Sequence, residues 1–204
     1  MTRIGILSDT HGLLDKRIFE HFKDVDEIWH AGDIGSDMVL HRLREFKPTR
    51  AVYGNMDSGD VRYSLSEFYR FRVEDVNVLM THIGGYPGHY NPWLIPWFRK
   101  SLEAKNAQAT NDERPSTNDI IDLFVCGHSH ILKVQYDPLY KFLTMNPGAA
   151  GKQGWQPCQT LLRFTIDGAK IDNLEVIELD RIWHLSATKC AFFAKLDIIS
   201  WNML

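Results

Sequence analysis

Cysteine is scarce in this 204-residue chain: Cys126, Cys158 and Cys190 are scattered, odd in number and never paired as CxxC. That pattern excludes a disulfide framework and fits a reducing compartment. No run of about 18 or more apolar residues occurs, so no membrane-spanning helix and no membrane partner are expected. The chain enters an apolar segment without the charged-then-apolar order of a secretion signal, and a cytoplasmic location is the resulting expectation. A basic stripe interleaved with aromatics is also missing. With 23 Lys+Arg against 26 Asp+Glu the net charge is −3, which offers no electrostatic footprint for nucleic acid. A nuclease stays open, because bound metal ions would bring positive charge of their own.

What is present is an ordinary globular composition, 44% hydrophobic and 24% charged, at a length that one domain can fill. Ile4 to Leu7 reads as a buried strand. Leu14, Ile18 and Phe22 form a helical stripe over Leu13 to Phe22. A second strand runs from Glu27 to the Gly32-Asp33 turn, and a helix follows with Met38, Leu40, Leu43 and Phe46 as its apolar positions. Thr49 to Tyr53 is a third strand, ending in Gly54-Asn55. Strands alternating with helices at this spacing predict a parallel sheet. Beyond residue 60, Phe68 to Val73 and Val76 to Thr81 predict a hairpin around Glu74-Asp75. A glycine-rich loop, 84–90, comes next. Pro92 to Leu102 predicts a helix, and Lys105 to Asn118 reads as a polar linker. Leu123 to Cys126 is a further strand, and turns separate antiparallel strands up to about Asp180.

Five segments share one grammar: an apolar strand, often a glycine, then side chains of metal-binding type. They carry Asp9 and His11, Asp33, Asn55, His82, and His128 with His130. Residues at the carboxyl ends of strands in an open α/β sheet converge on one crevice. Imidazole, carboxylate and amide oxygen without thiolate suit Mn, Ni, Fe, Zn or Co better than a closed structural zinc. Seven such side chains exceed the need of one ion, and two ions sharing Asp33 account for the number.

The ordered set Asp9-x-His11, Gly32-Asp33, Gly54-Asn55, His82 and Gly127-His128-x-His130 resembles the calcineurin-like metallophosphoesterases. Asn146-Pro147-Gly148 resembles their small YfcE-like bacterial and archaeal branch. The resemblance implies an α/β fold of two facing mixed β-sheets flanked by helices. It implies two divalent transition metal ions, manganese foremost: one held by Asp9, His11, Asp33 and His130, the other by Asp33, Asn55, His82 and His128. It also implies hydrolysis of a phosphate-ester substrate, a phosphodiester before a monoester, by attack of a metal-bridging hydroxide, with Asn55 also donating to a phosphate oxygen. Many larger relatives read Gly-Asn-His at the third motif. Met56 replaces that His here, and His89 in the glycine-rich loop is the one substitute candidate for a general acid.

The match covers the residues up to about 180, so the domain expected is 1–180 with an insert at about 90–119. Residues 181–204 form an extension of unassigned role. The insert's Trp93 to Phe98 admits either a helix packed on the core or a lid or subunit contact. The tail admits a packing element or a contact within a homo-oligomer. Asp57 is read as a supporting or turn residue with a direct role left open, and His30 as structural. A binding scaffold that keeps the fold without catalysis, like the related retromer subunit, is the alternative from a different functional class. The complete set of seven side chains favours the enzyme.

Overall fold

A computed structural model describes residues 1–109, 119–154 and 156–180. Twelve strands and four α-helices occur in the order β1 (Thr2–Leu7), α1 (Lys16–His21), β2 (Glu27–His30), α2 (Asp37–Phe46), β3 (Thr49–Ala51), α3 (Gly59–Ser64), β4 (Phe68–Val73) and β5 (Val76–Thr81). Then come β6 (Gly85–Tyr86), β7 (His89–Tyr90), α4 (Ile95–Ala109), β8 (Leu123–Val125), β9 (Leu132–Asp137), β10 (Phe142–Pro147), β11 (Cys158–Asp167) and β12 (Lys170–Asp180).

The strands form two five-stranded sheets, ordered β12-β11-β1-β2-β3 and β4-β5-β8-β10-β9, and the small β6-β7 hairpin. Both large sheets are mixed. β1, β2 and β3 run parallel, as strand–helix–strand alternation predicts, while β11 joins β1 antiparallel with Ile4 opposite Phe164. In the second sheet β5, β8 and β10 are parallel, and β4 and β9 close the edges antiparallel.

Side-chain alternation decides what each face touches. Ile4, Ile6 and Trp29 of the first sheet meet Val78, Met80, Leu123, Val125 and Met145 of the second in one buried cluster between the sheets. The opposite face of the first sheet presents Leu7 and Ile28 to Ile18, Phe22, Leu40 and Leu43 of the α1 and α2 layer. Leu79, Phe124 and Phe142 on the outer face of the second sheet pack against Leu94 and Phe98. The result is helix, sheet, sheet, helix: the two facing mixed sheets expected from sequence.

Several local expectations need correcting. The Leu14–Ile18–Phe22 stripe is buried, but the helix covers only Lys16–His21, because Asp15 accepts a hydrogen bond from the Arg17 N–H and caps it. Met38 is 62% exposed rather than part of the buried face of α2, which is Val39, Leu40 and Leu43. β3 stops at Ala51, two residues short of the expected Tyr53, and Val52 forms only a single bridge to Ser66. Helix α3 was not expected, and the glycine-rich loop holds the β6-β7 pair.

The largest correction concerns the start of the polar linker. α4 runs on through Ala109, because Ser101 and Ala104 are buried and Lys105 is held by tertiary contacts. Its ammonium donates to the carbonyls of Ile121 and Lys141 and pairs with Asp122 at 3.4 Å. Of the two readings of the insert, Leu94 and Phe98 support the packed helix. The rest of that linker, 110–118, and the tail, 181–204, lie outside the described residues. No described helix is long and apolar enough to cross a membrane.

Candidate metal centre

The loops leaving β1, β2, β3, β5 and β8 meet at one end of the two sheets. Ser8 to Gly12 follows β1 and is stitched to the loop after β2: Asp9 N–H donates to the Gly32 carbonyl, His11 N–H to Asp33, and Gly12 N–H to Ile34. Thr10 is buried in the seam. His30 Nδ1 accepts from Gly32 N–H at 3.2 Å, so its proton lies on Nε2 and faces the Thr10 hydroxyl at 3.0 Å; that hydroxyl in turn donates to the Ile34 carbonyl. Burial holds the His30 pKa down at about 4, so the ring is neutral at pH 7. Asp57, also buried, accepts from the N–H groups of Ile34, Gly35 and Gly54 and locks the β2 loop to the β3 loop. Asn146 does the same for the β8 loop, donating to the Gly127 carbonyl and the Ser129 hydroxyl. Nothing in the Asn146-Pro147-Gly148 motif alone marks this role.

Within this frame the polar side chains crowd together. His130 Nε2 lies 3.1 Å from Asp9 Oδ1, and His82 Nε2 lies 3.2 Å from Asp33 Oδ2 and 3.8 Å from Asp9 Oδ1. His11 Nε2 is 3.3 Å from His130 Nε2 and 4.0 Å from Asp33 Oδ2. Two triads result, Asp9–His11–His130 and Asp9–Asp33–His82, each with its donor atoms within 4.8 Å of one another. Asp9 belongs to both. Asp33 Oδ2 faces one imidazole from each of the two ligand sets expected for it. The outer members are more open: His128 is exposed with its ring 5.3 Å from that of His82, and its N–H donates to Asp9 Oδ2. Asn55 is exposed between Gly54 and Met56, whose N–H donates to Asp33 Oδ1 at 2.8 Å. A Cβ at Gly54 would fall 2.0 Å from Asp33 Oδ1, so only glycine lets this loop close on the carboxylate. His89 is not joined to the cluster by any of these contacts; it sits exposed on the β6-β7 hairpin with its ring 5.0 Å from Tyr86.

The backbone is unusual where it carries these groups. Eight described non-glycine residues have positive φ, and five of them are Asp9, His11, Asp33, His128 and His130. Asp and His enter this left-handed region more readily than most residues, yet each instance costs energy that the surrounding hydrogen bonds must hold. It turns successive side chains at the strand ends toward one point, and it leaves no mark in hydrophobic periodicity.

Burial and opposite charge compete within the cluster. Burial works against a charged His82, but Asp33 and Asp9 outweigh it and raise its pKa. Burial also opposes ionisation of Asp33, yet His82 and the Met56 N–H keep its pKa lowered. Burial, then His82, lowers His128. Asp9 Oδ1 and His82 Nε2 are buried with no hydrogen-bond partner, although each lies at ion-pair distance from opposite groups. Buried polar atoms left without a partner are costly unless something else engages them. Carboxylate and imidazole donors from both sheets are the chemistry of a divalent transition ion, so the residues present fit the metal the motifs imply.

A family model described as the calcineurin-like phosphoesterase superfamily domain matches residues 2–169. A probable metallophosphoesterase of Methanothermobacter thermautotrophicus is 36% identical over 178 residues, covering 83% of this chain and 88% of the relative. Among solved structures, an archaeal phosphodiesterase superposes with a TM-score of 0.58 at 20% identity, over 87% of this chain and 99% of that one. Wild-type Vps29 from Entamoeba histolytica, in complex with zinc, gives 0.58 at 12% identity over 87% and 98%.

Proposed function

The chain belongs to the calcineurin-like phosphoesterase superfamily, a family of metal-dependent phosphoester hydrolases, and from that premise we propose that it is a dinuclear phosphodiesterase. The observation that carries the reading is the pair of buried, partnerless atoms, Asp9 Oδ1 and His82 Nε2, inside a cluster supplied by both sheets. Asp9, His11, Asp33 and His130 would hold one ion; Asp33, Asn55, His82 and His128 would hold the other. Two divalent ions, manganese first among Mn, Ni, Fe, Zn and Co, supply when bound the Lewis acidity that activates water and offsets phosphate charge.

The chain's own residues prepare that site. His82 Nδ1 donates to the Ala31 carbonyl at 2.7 Å, which fixes the tautomer and leaves Nε2 with its lone pair toward the cluster. Asp33 is buried and is oriented by the Met56 N–H. The Asn55 amide can donate to a phosphoryl oxygen from the open side of the cluster. Met56 offers no proton to a departing alcohol, and His89 lies on the exposed hairpin. The reading therefore favours diesters with acidic leaving alcohols, since general-acid help of about 10²–10⁴-fold is missing. The archaeal phosphodiesterase among the structural relatives supports the diester class.

The test is hydrolysis of bis-p-nitrophenyl phosphate with Mn²⁺ or Ni²⁺, with and without chelator, in the wild type and in Asp33→Ala and His82→Ala. Turnover should need the metal, and each substitution should cost more than the roughly 10–100-fold typical of outer hydrogen-bond partners. Turnover indifferent to both chelator and substitutions would refute the site. Tight metal binding without turnover on any phosphoester would replace the enzyme with the scaffold reading.

A further inference from the structure

Each of three loops of the candidate centre follows its metal-type residue with an apolar side chain left in solvent: Asn55 with Met56, His82 with Ile83, His130 with Ile131. They are 65%, 36% and 49% exposed, and Tyr86, three residues beyond Ile83, is 41% exposed. Only nine large hydrophobics are exposed among the described residues, and three of these four directly follow a residue of the candidate set in the chain. Consecutive Cα atoms are 3.8 Å apart, so the first three cannot stand far from it. Two of these segments are also in contact. Lys133, two residues after Ile131, sets its ammonium 4.3 Å from the centre of the Tyr86 ring, which ties the segment after His130 to the segment after His82.

Isolated exposed apolar residues need no explanation, but a group of them bordering a polar site marks a binding surface. The Met56 backbone is fixed by its bond to Asp33, and the Ile131 N–H donates to the Ser129 hydroxyl. These side chains are thus presented from a braced backbone. One cation, Lys133, borders the same surface and complements the single negative charge of a phosphodiester.

Resting on the phosphodiesterase reading above, we propose that Ile83, Tyr86 and Ile131 form a subsite for an apolar or aromatic ester group, and that the substrates are phosphodiesters carrying one. Met56 closes the rim on the side of the β3 loop, where its flexible thioether adapts to the group bound. The subsite selects among diesters by burying the substituent that stays on phosphorus, while the polar cluster handles the phosphate common to all of them.

The experiment holds the leaving group constant. Methyl p-nitrophenyl phosphate and phenyl p-nitrophenyl phosphate release the same phenolate, so their kcat/KM ratio reports the remaining substituent. The phenyl ester should be preferred by roughly tenfold or more. Ile83→Ser and Ile131→Ser should each pull that ratio toward one, whereas Met38→Ser, exposed on α2, should leave it as in the wild type. Independently of turnover, diphenyl phosphate should shift the Ile83 and Ile131 methyl resonances of the protein loaded with diamagnetic zinc more than dimethyl phosphate does. A ratio near one, unmoved by the rim substitutions, with no selective methyl shift, would overturn the subsite while leaving the phosphodiesterase standing. Hydrolysis of neither ester, with bis-p-nitrophenyl phosphate also untouched, would remove the reading beneath it.

Discussion

His30 is fully buried, neutral, and hydrogen-bonded through both ring nitrogens to the seam that carries Asp9 and Asp33. Its folded pKa, about 4, lies below the 6.5 of an unfolded histidine. Between those values the unfolded chain holds a proton that the folded one refuses. The stabilisation is therefore complete above pH 6.5 and is lost as pH falls toward 4. In chelator-treated protein, lowering the pH from 7.5 to 5 should cost the wild type about 2 kcal/mol more than a His30→Gln variant, by urea unfolding at the two pH values. Equal losses in both proteins would show that the ring does not stay neutral. Donor type and recurrence after strands marked Asp9, His11, Asp33, His82 and His130 in the sequence, and the fold gathers these five into two triads. His30 and Asp57 are structural and supporting, as the sequence suggests; which groups each one holds was not legible. His30 meets a neighbouring N–H and the distant Thr10 hydroxyl, and the buried Asp57 looks like any other turn aspartate until its three backbone donors are in place.

At the scale of elements, helix α4 is anchored by Phe98, whose ring sits in an edge-on cluster with Tyr90, Phe124 and Phe142 at centroid distances of 4.9, 5.1 and 4.8 Å. Phe98→Ala removes that anchor from a fully buried position and should destabilise the protein by about 3–5 kcal/mol. Since α4 packs on the face of the second sheet turned away from the first, metal affinity at saturating ion should change far less than the unfolding midpoint. Urea denaturation set beside a metal titration measures both. A change of similar size in each would mean that the helix supports the centre directly. The hairpin of β4 and β5 was readable, residue for residue, from two strand-like runs on either side of Glu74-Asp75. The length of α4 was not, because Lys105 looks solvated in sequence and is tied down only by the carbonyls of Ile121 and Lys141. The apolar Met38 misled for the opposite reason: it falls on the helix stripe but outside the packed face.

At the scale of the molecule, the first sheet contributes Asp9, His11, Asp33 and Asn55, and the second His82, His128 and His130. An ion held by both binds only the folded chain. At a free metal concentration of 100 times its Kd it should add about 2.7 kcal/mol. For a chain of this length that is a rise in Tm of roughly 5–10 °C over chelator-treated protein, measurable by calorimetry. An unchanged Tm at that concentration would mean that the ion does not distinguish the folded chain from the unfolded one. The fold class was legible because strand–helix alternation and the motif order agree. The facing of the two sheets rested on resemblance, since no single strand records which other sheet it will cover.

The shared cluster has a consequence outside chemistry. If divalent cations link the two sheets, copies synthesised during transition-metal starvation are less stable from the outset and more available to proteases. The steady-state abundance of the protein would then follow the cell's metal supply with no dedicated regulator.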